Sequence, residues 1–134
     1  MSLEKALHTA QTSVPECVAT GAVDLSSGML LGIKTVDSHP QEVLDLVAAA
    51  TADMFQGPNV SSIEEMFRKQ RGVKDDGAHY FQEIIVYSEN LLHVFQRGKH
   101  NEDFVMVSVC RRTANLGMVL AKARGALAKV EAAV

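Results

Sequence analysis

The second half of the chain sets the strongest constraint. Three runs, "HYFQEIIVY" (79–87), "LLHVF" (91–95) and "DFVMVSVC" (103–110), are separated by little more than the turns "SEN" and "RGKHNE". Each reads as a β-strand. Apolar residues stand at both parities of each run. A strand with one wet face alternates; near-continuous apolar runs indicate a sheet covered on both faces. The rest of the chain must therefore supply helices for two sides. With 134 residues, 47% of them hydrophobic, it is sized for one compact domain, 1–134, that buries about two thirds of its unfolded surface.

Those helices are legible. "SLEKALHTAQTSVP" places Leu3, Ala6, Leu7, Ala10 and Val14 at helical spacing before Pro15 stops it. "ECVATGAVDLSSGMLLGIKTV" reads as a hairpin of strands 16–24 and 27–36 around "DLSSG". "SHPQ" (38–41) fits a capping box, starting a second helix near His39. In that helix Val43, Leu44, Leu46, Val47, Ala50, Met54 and Phe55 cover an arc of about 200°, twice the stripe needed to dock on one surface. It is expected to touch two things. Gly57 and Pro58 break it, and "SSIEEMFRKQ" (61–70) offers a short helix capped by Ser61 or Ser62, with Glu64 or Glu65 completing the box. "RGVKDDG" (71–77) reads as a loop. The last helix carries Leu116, Val119, Leu120, Ala123, Leu127 and Val130 on one stripe, with Gly117, Ala121, Gly125 and Ala128 beside it. The order is α-β-β-α-β-β-β-α, an α+β fold with a five-stranded antiparallel sheet and helices on both faces.

The chemistry that the chain offers is sparse. A net charge of -3 without a lysine-arginine block argues against nucleic acid and anionic membrane as partners. Residues 1–10 lack the pattern of a secretory signal, and the longest apolar stretch, 43–55, is interrupted by Asp45 and Asp53, so a soluble cytoplasmic protein without membrane insertion is expected. Cys17 and Cys110 lack CxxC spacing and read as reduced core thiols. There is no GxSxG, GxGxxG, GK[ST] or HExxH motif, and the five histidines never stand at i,i+2 or i,i+4 to each other. No catalytic residue, cofactor or metal site is assigned. His93 reads as a core histidine; "KDDG" (74–77) and "RGKH" (97–100) read as solvated turns. Arg111 and Arg112 read as solvated or carboxylate-paired ends of a strand, the alternative being that they activate Cys110.

Three stretches, "GAVDLSSGMLLG", "QEIIVYSENLLHVFQR" and "VMVSVCRRTANLGMVLAKARGAL", resemble the Roadblock/dynein light chain family, whose profilin-like domain has this succession of elements. The step Asn115, Leu116, Gly117 resembles the family's opening of its final helix. The link 57–78 departs from the family by its length and its extra helix. The resemblance implies that the final helix lies on the sheet, so that Gly117, Ala121 and Gly125 let its backbone settle against small residues of the first strand, Ala19, Gly21 and Ala22. It also implies a homodimer in which third strands pair edge to edge and second helices pack together. An apolar strand edge invites such pairing, and the wide arc of the second helix agrees. The expected interface is Val43, Val47 and Met54 with Phe81, Ile85 and Tyr87, or their neighbours of opposite parity. By resemblance the function is that of a non-enzymatic dimeric scaffold or regulator; bacterial members serve small Ras-like GTPases, and eukaryotic ones dynein and lysosomal scaffolds. The alternative is a small-ligand sensor of profilin-like architecture, and an enzyme using a cysteine comes third.

Overall fold

The computed structural model describes residues 1–37, 41–72 and 79–134. Its elements are α1 (Leu3–Ser13), β1 (Cys17–Asp24), β2 (Met29–Thr35), α2 (Gln41–Gln56), α3 (Pro58–Gln70), β3 (Glu83–Tyr87), β4 (Leu91–Arg97), β5 (Phe104–Arg111) and α4 (Leu116–Ala132). This is the order read from the sequence, with α3 inserted in the link. The Ser2 hydroxyl accepts from the Lys5 amide at 3.2 Å to open α1, and Asn115 Oδ1 accepts from the Met118 amide at 3.0 Å to open α4. Each satisfies a donor that the first helical turn leaves without a partner.

The five strands form one antiparallel sheet in the order β2-β1-β5-β4-β3. Placing β1 beside β5 leaves β2 and β3 as the edges. Helices α1 and α4 lie side by side on one face, where Ala6, Leu7 and Ala10 of α1 and Leu127 and Val130 of α4 bury Ala22, Phe104 and Met106. Further along, Val119 and Ala123 bury Leu92, Val94 and Cys110. The opposite face is covered by α2, whose Ala48 and Phe55 pack on Val23, Phe95, Val105 and Val107. Both faces are therefore apolar, as the strand runs require.

Arg97, at the end of β4, is only 1% exposed. Its guanidinium donates to three backbone carbonyls: Phe81 ahead of β3 (2.8 Å), Glu102 in the β4–β5 turn (2.7 Å) and Phe55 in α2 (3.2 Å). It also lies over the Phe55 ring, 5.1 Å from the centroid. Burial works against the charged form, which Glu64 and then Glu102 and Asp103 support. Nearby, the buried Glu64 of α3 accepts from the Tyr80 amide at 2.5 Å and lies 3.2 Å from His79 Nδ1. Two buried ionic side chains thus pin α2, α3 and the lead into β3.

Several boundaries differ from the sequence reading. α3 starts at Pro58 rather than at a serine: Gly57 is the N-cap without a side-chain bond, and proline fits the first turn, where its missing N–H costs nothing. Ser61 and Ser62 lie inside that helix, and the Ser62 hydroxyl donates back to the Pro58 carbonyl at 2.9 Å. β3 begins at Glu83, so His79 to Gln82 are not strand, although the Arg97 amide still donates to Gln82 O at 2.8 Å. The "SHPQ" box and the "KDDG" turn fall wholly or largely outside the described residues.

The glycine arrangement is a correction. Gly117, Ala121 and Gly125 are exposed on α4, and a methyl added at Gly125 would meet nothing within 4 Å. At Gly117 it would meet only Asn115 Oδ1, at 3.4 Å. Ala19 borders the space under α2, and Gly21 shares its parity, so neither can receive α4, which lies on the other face. The close approach is made by α1 instead. A methyl at Gly32 of β2 would come within 3.0 Å of Leu3 and 3.2 Å of Leu7, and the buried Thr20 hydroxyl donates to the Leu7 carbonyl at 2.7 Å. Of the three small residues of the first strand only Ala22 lies on the α4 side, in the cluster that α1 shares with Leu127 and Val130, while the close approach to the hairpin is that of α1 at Gly32.

Candidate interaction surface

Helix α2 covers the sheet unevenly. Its C-terminal half is seated by Ala48, Thr51 and Phe55, all buried, while its N-terminal half leaves Val43 (46%), Leu46 (71%) and Val47 (50%) exposed. Beneath that half runs a groove of about 510 Å³, floored by Val18, Ala19, Val107 and Val109 and walled by Val43 and Val47. Polar groups stand on two sides, Thr35 and Asp37 toward β2 and Asn90, His93 and Arg111 toward β4 and β5. His93 Nε2 lies 2.9 Å from the Ser88 hydroxyl, and the ring stacks on Phe95 with centroids 6.3 Å apart. Burial lowers the His93 pKa from its ordinary value of 6.5. The imidazole is thus held neutral at the margin of an apolar surface.

The same face ends at the β3 edge, whose outer backbone groups have no strand beside them among the described residues. Register decides which β3 side chains belong to this face. Ile84 pairs with Phe95 and Val86 with His93, both on the α2 side; Ile85 pairs with Val94 and Tyr87 with Leu92, both under α4. Val86 is 36% exposed. Of the six residues expected at an interface, Val43 and Val47 stand together above the groove. Ile85 and Tyr87 are exposed but point to the opposite face, and Met54 and Phe81 pack against the core beneath α2. The opposite-parity neighbours, Ile84 and Val86, are the ones that share a face with Val43 and Val47. A one-residue change of register exchanges these sets, and nothing in the local pattern of "QEIIVY" distinguishes them.

The other candidates resolve differently. The "RGKH" tip does hold an anion, but one from this chain: the Glu131 carboxylate of α4 accepts from the amides of Lys99 (3.0 Å), His100 (3.0 Å) and Asn101 (2.7 Å). Among the described residues Arg112 pairs with no carboxylate; it donates to Ser88 O at 2.7 Å and lies over the Tyr87 ring, 4.8 Å from the centroid. The Cys110 thiol is pushed up, first by the neighbouring Cys17 and then by burial, the opposite of activation by neighbouring arginines. Across the edge, Arg124 of α4 holds Glu83 by two bonds, at 2.6 and 3.1 Å, and keeps that carboxyl below its usual range. Among the described residues no helix is long and apolar enough to cross a membrane.

No family model matches the sequence, and no curated protein matches it significantly. The likeness is structural. The Roadblock/LC7 domain from Streptomyces avermitilis superposes with a TM-score of 0.67 at 13% identity, over 98% of this chain and 97% of that one. The gliding protein MglB from Thermus thermophilus gives 0.68 at 21%, over 98% and 90%. MglB from Myxococcus xanthus gives 0.68 at 15%, over 98% and 96%. With the sheet order, the two faces and nearly full-length superposition in agreement, this chain has the Roadblock/LC7 fold.

Proposed function

We propose that the chain is a non-enzymatic scaffold or regulator that pairs with a second copy of itself through α2 and the β3 edge and presents the joined surface to a protein partner. One observation carries this reading: Val43, Leu46 and Val47 stand exposed above an apolar groove on the face of the sheet that Ile84 and Val86 extend to the β3 edge. Apolar surface of that kind beside a free strand edge is a template for association, and a twofold axis lets the same patch meet itself. An MglB of similar fold adopts a tetrameric arrangement, so this architecture tolerates self-assembly. The partner class, a small Ras-like GTPase, rests on the family resemblance of the sequence, as does cytoplasmic location.

The test is solution mass by light scattering over a range of concentrations for the intact protein, Leu46→Lys and Val86→Lys. Both side chains are exposed in the protomer, so each variant should keep its circular dichroism while the mass falls from twice the chain mass to one. An intact protein that is monomeric throughout removes the reading. Binding to purified Ras-like GTPases from the same cell, loaded with GDP or a GTP analogue, tests the partner separately. The sensor reading draws on the same groove, whose Asn90, His93 and Arg111 would orient a small polar-headed ligand. Native mass spectrometry showing a co-purified molecule that Val47→Trp displaces would favour it.

A further inference from the structure

Two cysteines that the sequence separates by most of its length are neighbours across β1 and β5. Cys17 and Cys110 are register partners. The Cys17 amide donates to Val14 O at 3.3 Å, and the Arg111 amide donates to Glu16 O at 3.0 Å. The pair is therefore not bridged by its own backbone bonds. In a regular antiparallel ladder this is the closer kind of pair, with Cα atoms about 4.5 Å apart, inside the range that a disulfide spans; here the register shifts just beyond the pair, between Cys17 and Ala19. Both side chains belong to the cluster under α4, so they point to one face, where the Cys17 thiol donates to the Ala19 carbonyl at 3.2 Å. Their exposure differs: Cys17 is half-buried and Cys110 is fully buried.

We propose that Cys17 and Cys110 form a dithiol modification site that small disulfides oxidise to a cross-strand disulfide, with Cys17 as the attacking sulfur and Cys110 as the resolving one. Only Cys17 can be reached by a reagent in the folded chain. The neighbouring Cys110 also favours the Cys17 thiolate, lowering its pKa, whereas the Cys110 thiol is raised by Cys17 and by burial and held in reserve. In the first step the Cys17 thiolate attacks one sulfur of RSSR; the S–S bond breaks, and RS⁻ leaves and takes up a proton. In the second, Cys110 gives its proton to solvent and attacks the Cys17 sulfur, displacing the other RS⁻, which is protonated in turn. Two protein thiols and one RSSR become one protein disulfide and two RSH. The bond joins the α1–β1 junction to the β5–α4 junction and closes most of the chain into one loop, which restricts the unfolded state.

The experiment uses oxidised glutathione on the native protein, followed by intact mass and peptide mapping. The expected result is a loss of two hydrogens without a retained adduct, a mapped Cys17–Cys110 cross-link and a raised Tm. Cys110→Ser should retain one glutathione adduct on Cys17, and folded Cys17→Ser should take up none. An intact protein that stays reduced, keeps an unresolved adduct, or oxidises no faster folded than in urea overturns the proposal. If Cys110→Ser does not fold, the cross-link in the unaltered chain and faster iodoacetamide labelling of Cys17 than of Cys110 decide the matter. The outcome is independent of whether two copies pair.

Discussion

A methyl group at Gly98 would fall onto the Glu131 carboxylate and 2.5 Å from the Asn101 carbonyl oxygen, so the tight seat that the β4–β5 turn forms for α4 requires glycine. Gly125 is the contrary case, for a methyl there meets nothing within 4 Å. Its helix interior carries only the conformational cost of glycine, so Gly125→Ala should stabilise the chain by about 0.5–1 kcal/mol in urea unfolding. A loss of stability would restore the view that α4 needs a bare backbone at that point. Along the sequence Gly98 is a glycine in a turn and Gly125 a glycine in a helix, and neither shows whether a side chain would fit. Which one is forced depends on what lies opposite, and Glu131 reaches the 98–101 turn only because α4 folds back along β5.

At the scale of elements, Arg97 joins parts that share no local signal. Read along the chain it belongs with Lys99 and His100 as a basic tip, yet it turns inward while the tip stays out. Arg97→Met keeps the apolar stem but leaves the carbonyls of Phe55, Phe81 and Glu102 without their charged donor, and should cost about 3 kcal/mol by urea denaturation. Arg97→Lys should rescue little, because three carbonyls of different elements are met by a planar fork and not by one ammonium. A cost under about 1 kcal/mol for Arg97→Met would mean that α2 and the β3 lead are held by apolar packing alone. The wide apolar arc of α2, in contrast, was legible in residues 43–55, since helical periodicity is local; that the C-terminal half is seated and the N-terminal half bare is a difference along the axis, which only packing shows.

For the molecule as a whole, acid should weaken the fold in two steps. His93 has a lowered pKa when folded, so the unfolded chain takes up its proton first as pH falls below 6.5; the contribution is complete above that value and declines below it. Glu83, held low chiefly by Arg124, contributes above its ordinary 4.5 and loses that contribution only in stronger acid. Unfolding midpoints measured from neutral pH to about pH 5 should fall, and His93→Gln should flatten the decline. An unchanged slope in that variant would place the sensitivity elsewhere. His93 also borders the groove, so the pairing proposed for α2 and β3 should weaken over the same range of pH.

The elements, their order and the need for helices on both faces of the sheet are legible along the chain, because turns and hydrophobic periods act over a few residues. Even the clean break between α2 and α3 was announced by Gly57 and Pro58. Contacts between distant segments set β1 beside β5, put Val86 rather than Ile85 on the α2 face, and bring α1 rather than α4 onto the bare backbone of the hairpin, at Gly32. They alone bring Cys17 to Cys110. The physical reason is common to these cases: strand neighbours, register and helix docking are set by packing between distant segments, and a slip of one residue reverses which side chains face which partner.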